Sequence, residues 1–290
     1  MALFQTVLGV LLHGLAYAMV LYLISVGLSV TMGLLGIANL AHGIFAMAGG
    51  YLTMTLLSAQ GWSLPLALAV SFLGIATLGA IMERLLYARL HGASELDQVL
   101  FSIGLIFIGT AAFQYVFGPL AIRVSLPAAL RGAISFGEFS FPTYRALLIV
   151  SGVAVFAALW LSIEHTLIGA RVRATVENPT MAKTLGVNTR LLYTGVFALG
   201  SGLAALGGSL GAELIPLFPN YASVHLASFL IVVAVGGLGT IKGPFFAAIL
   251  LGVADTACKL IAPDMAAFFT YAAVFAILTV KPNGLFGIAK

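Results

Sequence analysis

Charge is what this sequence has least of. Of its 290 residues only 9 are Asp or Glu and 13 are Lys or Arg, so charged residues make up 8% of the chain against 61% hydrophobic ones. A soluble domain carries roughly 25% charged residues. This chain has too few polar side chains to cover a globule, which excludes a soluble fold, and its hydrophobicity excludes a disordered chain. The scarcity of basic residues excludes a nucleic-acid-binding domain of the usual kind. A single cysteine, Cys258, excludes an internal disulfide scaffold. No basic n-region precedes the first apolar run, so that run reads as a membrane helix and not as a cleaved signal. Charge is absent altogether before Glu83.

What is present is a series of long apolar runs. A helix needs about 20 apolar residues to cross the hydrocarbon core. The runs are too long and unbroken for the alternating strands of an outer-membrane barrel. The expected fold is therefore all-α: one polytopic membrane helical bundle spanning residues 1–290, with eight to nine transmembrane segments, some broken or re-entrant. Nine segments stand out, at 7–32, 38–58, 63–82, 98–117, 144–162, 191–212, 225–238, 244–261 and 265–281. The seventh is short for a span and ends in Gly236-Gly237-Leu238-Gly239.

Three polar stretches interrupt the series, at 83–97, 118–143 and 163–190. The second ends in Ile134-Ser135-Phe136-Gly137-Glu138-Phe139-Ser140-Phe141, whose alternation about Gly-Glu predicts a small hairpin. Placing 163–190 in the cytoplasm and threading nine crossings puts the N-terminus outside and the C-terminus inside. Arg84, Arg89, Arg171, Arg173, Lys183, Arg190, Lys242, Lys281 and Lys290 then lie inside, and Arg123, Arg131, Arg145 and Lys259 outside. That imbalance obeys the positive-inside rule and accounts for the net charge of +4.

The third stretch holds a short-helix signature. Asn178 is suited to cap an N-terminus and Pro179 to occupy the first helical position. Gly186 supplies a left-handed stop. Met181 and Leu185 share a face at i, i+4, with Lys183 elsewhere, and Arg171, Arg173 and Glu177 precede the helix. Such a helix either rests on lipid headgroups or docks into another protein.

Two glycine breaks resemble each other: Met32-Gly33-Leu34-Leu35-Gly36-Ile37 with Gly43, and Val235-Gly236-Gly237-Leu238-Gly239-Thr240-Ile241 with Gly243. Paired interrupted segments point to a transport route, although glycine-rich turns also look alike without any common role. Gly33, Gly36, Gly236, Gly237 and Gly239 are thus pathway candidates. Asn39 and His42 join them, since polar groups at membrane depth face a bundle interior or a route. The plainer alternative is that Asn39 caps the second helix and His42 bonds a neighbouring carbonyl. Asp255 and Lys259, acid before base at i, i+4, read as a structural ion pair, with proton coupling the alternative. Gly200, Ala204, Gly208 and Ala212 form a small-residue ridge for close helix packing. Glu213 is expected at an exposed helix end, and His225 is unassigned. There is no catalytic constellation, no metal-ligand spacing and no Gly-x-x-x-x-Gly-Lys-Ser/Thr phosphate loop.

Five motifs in order carry a family resemblance. They are Gly27-Leu28-Ser29 leading into Gly33-Leu34-Leu35-Gly36-Ile37-Ala38-Asn39-Leu40-Ala41-His42-Gly43, then Gly169-Ala170-Arg171-Val172-Arg173-Ala174 running into Asn178-Pro179, Ala182 and Gly186-Val187-Asn188. Phe197-Ala198-Leu199-Gly200-Ser201-Gly202-Leu203-Ala204-Ala205-Leu206-Gly207-Gly208 follows, then Gly236 to Pro244, and finally Lys281-Pro282-Asn283-Gly284-Leu285-Phe286-Gly287. Over nearly its whole length the chain resembles the LivH-type permease subunit of branched-chain amino acid ABC importers. The resemblance implies a transport subunit without enzyme activity or cofactor of its own. Its expected partners are a second, similar permease, two cytoplasmic ATPases that bind ATP and Mg, and an extracytoplasmic solute-binding protein. It implies an inner-membrane location. It also implies that the helix 178–186, with Arg171, Arg173, Glu177, Asn178, Pro179, Met181, Ala182, Lys183, Leu185 and Gly186, is the coupling helix that meets the ATPase. Ala182-x-x-x-Gly186 resembles the tail of the EAA signature of importer permeases, whose fuller Glu-Ala-Ala form is absent here. Related permeases carry other amino acids, urea, short amides or small organic acids. The rival reading is a stand-alone secondary transporter driven by an ion gradient.

Overall fold

In a computed structural model of the chain, each of the nine apolar segments folds as a helix. The structure describes all residues except 1, 38, 91, 123–125, 128–129, 137–138 and 288–290. Ala38 of the first family motif, Arg123 and Lys290 of the charge count, and the Gly137-Glu138 turn therefore lie outside the described residues. In chain order the helices are α1 (Ala2–Leu35), α2 (His42–Gln60), α3 (Leu64–Leu85), α4 (Glu95–Phe117), α5 (Thr143–His165), α6 (Leu167–Glu177), α7 (Pro179–Thr184), α8 (Thr189–Gly211), α9 (Tyr221–Gly236), α10 (Lys242–Ile261) and α11 (Ala266–Val280). The hairpin expected before α5 forms from β1 (Ala133–Phe136) and β2 (Phe139–Pro142), antiparallel, with Phe136 opposite Phe139.

Seven stretches of the described residues are long and apolar enough to cross a membrane: Phe4–Gly33, Leu64–Arg89, Glu95–Phe117, Thr143–His165, Thr189–Gly211, Lys242–Ile261 and Pro263–Val280. By length and apolarity the expected eight to nine are not reached. The two that fall short are α2, diluted by His42, three glycines and several hydroxyl residues, and α9, whose 16 residues reach only about 24 Å at 1.5 Å each. At the other extreme, the 34 residues of α1 extend about 50 Å.

The core is organised around α8, which packs against α1, α2 and α3, while α1 also packs along α10. α1 runs antiparallel to both: Gly27 meets Gly200 of α8, Gly207 meets Ile24, and Gly14 meets Val253 of α10. The small-residue ridge permits this closeness. A methyl group on Gly208 would run into the Ala46 backbone of α2, and one on Gly200 into Gly27. Hydrophobic burial gives little preference between a helix and lipid, so helices associate through such close packing and through buried hydrogen bonds. One of the latter is a hydroxyl relay in which Thr53 of α2 bonds both Ser71 of α3 and Ser209 of α8 at 2.7 Å. The outward faces, among them Phe107, Tyr115, Phe268 and Phe275, are apolar and exposed, as a lipid-facing surface requires.

Candidate functional site

The two glycine breaks meet. Gly33, near the end of α1, lies directly against Gly239, and any side chain on Gly33 would collide with the Gly239 backbone. Gly239 N–H donates to Ser29 O at 3.1 Å, and Ser29 Oγ donates to Thr240 O at 3.0 Å. Gly36, Gly237 and Gly239 all adopt positive φ, so each chain reversal uses a conformation open mainly to glycine. The C-terminal motif arrives at the same place. Leu285 N–H donates to Val235 O at 2.7 Å and Phe286 N–H to Gly236 O at 3.1 Å, which satisfies carbonyls that the end of α9 would leave orphaned. Three separate motifs of the sequence thus build one junction.

The first residue of α2 lies deep in the bundle. His42 Nε2 lies 3.1 Å from Ile24 O. Ile24 is 11 residues, or about 16 Å of helix, from the end of α1. α2 therefore starts inside the protein, level with the middle of α1. His42 and Asn39 are each 1% exposed. The histidine does bond a carbonyl. Asn39 does not cap α2 through its side chain, because its Oδ1 is taken by Tyr87 Oη, which donates at 2.8 Å. Tyr87 is itself fixed by Phe101 of α4 and Phe197 of α8, with ring centroids at 5.4 and 4.7 Å. Asn39 Nδ2 and His42 Nδ1 have no hydrogen-bond partner among the described residues.

A buried carboxylate was not legible as such. Glu83 is 1% exposed, and Thr194 Oγ1 of α8 donates to its Oε2 at 2.6 Å. Read as the start of a polar loop, it in fact closes the buried face of α3. Ala67, Ser71, Ile75, Gly79 and Glu83 recur every four residues, and that spacing was the available signal.

The stretch 163–190 folds as two helices where one was expected. Thr166 caps α6, its Oγ1 accepting from Gly169 N–H at 3.2 Å. Asn178 caps α7, its Oδ1 accepting from Met181 N–H at 2.9 Å, with Pro179 in the first turn. Gly186, at φ 83°, ends the helix, and Val187 N–H returns to Ala182 O at 3.0 Å. Ala182 is 1% exposed, whereas Met181 and Leu185 are 58% and 76% exposed. Lys183, Arg171, Arg173, Glu177, Asn178, Pro179 and Gly186 are also exposed. The stretch is tied to the glycine junction by charge. Glu164 stands 4.0 Å from Arg173 of α6 and 3.9 Å from Lys242, the first residue of α10, and Lys242 Nζ lies 5.4 Å from the Trp160 ring. Arg173 Nη1 also donates to Ile163 O.

Asp255 and Lys259 form the expected pair at 2.6 Å. Glu213 is exposed, and His225 packs among Phe218, Tyr221 and Phe229. No group of three or more potential metal ligands occurs among the described residues.

A helical membrane bundle whose interrupted segments meet at bare glycines, with a capped surface helix linked to that junction, has the build of a membrane transport component. The model of the family described as branched-chain amino acid transport system / permease component matches residues 10–278, and the chain belongs to that family. It is 28% identical over 293 residues to the high-affinity branched-chain amino acid transport system permease protein BraD of Pseudomonas aeruginosa, covering 96% of this chain and 94% of that protein. It is 27% identical over 282 residues to the corresponding protein LivH of Escherichia coli, with 91% and 90% covered. A shorter similarity, 30% over 146 residues, spans 47% of this chain and 40% of the autoinducer 2 import system permease protein LsrC of Salmonella paratyphi B. No solved structure matches the chain.

Proposed function

We propose that the chain is the membrane-spanning subunit of an ATP-driven importer for branched-chain amino acids or related small polar solutes in a bacterial-type inner membrane. A second, similar permease pairs with it, two cytoplasmic ATPase subunits bind ATP and Mg, and an extracytoplasmic binding protein delivers the solute at the end carrying 118–143. The N-terminus faces outside and the C-terminus inside, in keeping with the excess of Lys and Arg at the α6–α7 end. α2 and α9 complete the count of crossings as interrupted segments.

The observation that carries this reading is the pairing of α7 with the glycine junction. α7 presents Met181 and Leu185 outward from a polar surface, while Ala182 is buried beneath it. Two exposed apolar side chains on a rigidly capped helix suit the groove of a partner protein. A push there moves α6 and, through Glu164, the start of α10. The Gly33–Gly239 contact then shifts with no side chain to interlock, and the route past Gly36, Asn39, His42, Gly236 and Gly237 opens to one side or the other.

The test replaces Ala182 by Leu and Gly186 by Val, separately. The expected result is a permease that inserts and assembles but hydrolyses ATP without proportionate solute uptake. Full coupling in both variants would remove α7 from the mechanism. Gradient-driven uptake by the purified chain alone in liposomes would replace the importer by a secondary transporter.

A further inference from the structure

A cavity of about 90 Å³ opens between α1, α9, α10 and α11, remote from the glycine junction. A water needs roughly 10–15 Å³ by this measure, so the space takes several waters or the end of an organic molecule. Its apolar walls include Ile231, Val232 and Leu251. Its polar features are the Asp255 carboxylate, the Tyr17 and Tyr271 side chains and the Ser228 and Thr270 hydroxyls. A carboxylate beside aromatic rings in an apolar wall is the chemistry that recognises an organic cation.

The protein already shows such recognition once. Lys259 is outside the cavity lining, yet its ammonium reaches the same two groups, at 2.6 Å from Asp255 Oδ2 and 5.4 Å from the Tyr17 ring centroid. Only Oδ2 of Asp255 is engaged in that pair. A carboxylate has about four acceptor sites on its two oxygens, so Oδ1 is left with acceptor capacity. The lysine side chain is 60% exposed, and ion pairs of that exposure are weakly held.

We propose that this cavity binds a primary organic ammonium bearing an apolar chain. Asp255 takes the ammonium, Tyr17 and Tyr271 flank it, and Ile231, Val232 and Leu251 receive the chain. Lys259 keeps the carboxylate neutralised when the cavity is empty and meets the anionic group of a zwitterion when it is filled. Two sources supply this chemistry, an amino-acid solute and the headgroup of an aminolipid. The first deepens the importer reading and rests on it; the ammonium site itself does not.

The experiment uses the full chain in phosphatidylcholine nanodiscs, which contain no primary amine. Thermal stability and calorimetric binding are measured with 3-methylbutylamine and with 4-methylpentanoate, which shares the branched chain but lacks the ammonium. The amine is expected to bind and stabilise, and the acid to do neither. Asp255→Asn should abolish the amine response, and Lys259→Met should tighten it about threefold by removing a weak competitor. Tyr271→Leu leaves the ion pair intact and should weaken the response, which keeps the test decisive if Asp255→Asn does not fold. Equal responses to amine and acid, or a wild-type response in Tyr271→Leu, would overturn the proposal. Repeating the titration in phosphatidylethanolamine discs separates the sources: suppression assigns the site to the headgroup, and persistence assigns it to a free solute. ATP-driven uptake by the assembled importer is measured separately. Uptake without amine binding sinks this site alone, and amine binding without uptake sinks the importer reading alone.

Discussion

The α1–α8–α2 core and the α6–α7 element are held together by opposite means. In the core, backbones touch because side chains are missing, as where Gly27 meets Gly200 and Gly208 meets Ala46. In α6–α7 the helices are short, and side-chain caps from Thr166 and Asn178 fix their ends. A contact between bare backbones tolerates sliding but no added atom. A capped helix tolerates added atoms on its exposed face but not the loss of its cap. The core can therefore rearrange as a set of rigid rods, and α6–α7 can transmit a push without unravelling.

The sharpest way to break this contrast is Gly208→Leu. Overpacking costs about 1–3 kcal/mol where side chains yield, and here the obstacle is the Ala46 backbone, so the cost lies at the upper end or beyond. The variant should lose its monodisperse peak on size-exclusion chromatography, while Met181→Leu, on the exposed face of α7, should not. Next comes Tyr87→Phe, which strips the buried Asn39 side chain of the hydroxyl that donates to its Oδ1. Thermal unfolding should register a loss of about 1–3 kcal/mol. Asn178→Ala removes a cap worth about 1 kcal/mol, and the loss should be local: faster amide exchange at Met181 with an unchanged melting temperature. Glu164→Gln should have the smallest effect on stability, below about 1 kcal/mol, because Glu164 and both its partners are nearly half exposed. Its effect on the ratio of ATP hydrolysed to solute imported should exceed its effect on melting. If the ratio is unaltered, the link between α6 and α10 runs elsewhere.

What could be read in advance follows the range of the interaction. The apolar segments, the β1–β2 pairing and the Asn178–Gly186 helix are specified by residues within a few positions of one another, and all formed. α6 escapes a reading of the sequence because its cap, Thr166, directly follows the last residue of α5, His165, with no glycine or proline to announce a new helix. The number of membrane-length helices is lower because α2 is diluted by polar and small residues, while α9, apolar throughout, is too short, as the length of its apolar run already indicates. The likeness of the two glycine breaks was visible, but not that Gly33 and Gly239 touch, since that depends on the antiparallel run of α1 along α10. For the same reason Glu83 could be counted as a charge yet not placed under Thr194, and Asn39 could not be matched to Tyr87, 48 positions away.

The charge-free α1 and α2 also bear on how the protein enters its membrane. Topology is set by Lys and Arg flanking each span, and neither helix has any to offer. Within residues 1–290 the first basic side chains that can supply direction are Arg84 at the end of α3 and Arg89 just beyond it. The helix that houses the Gly33 contact thus shares its nearest topological signal with the third helix, and a change of charge at Arg84 should be felt two helices upstream.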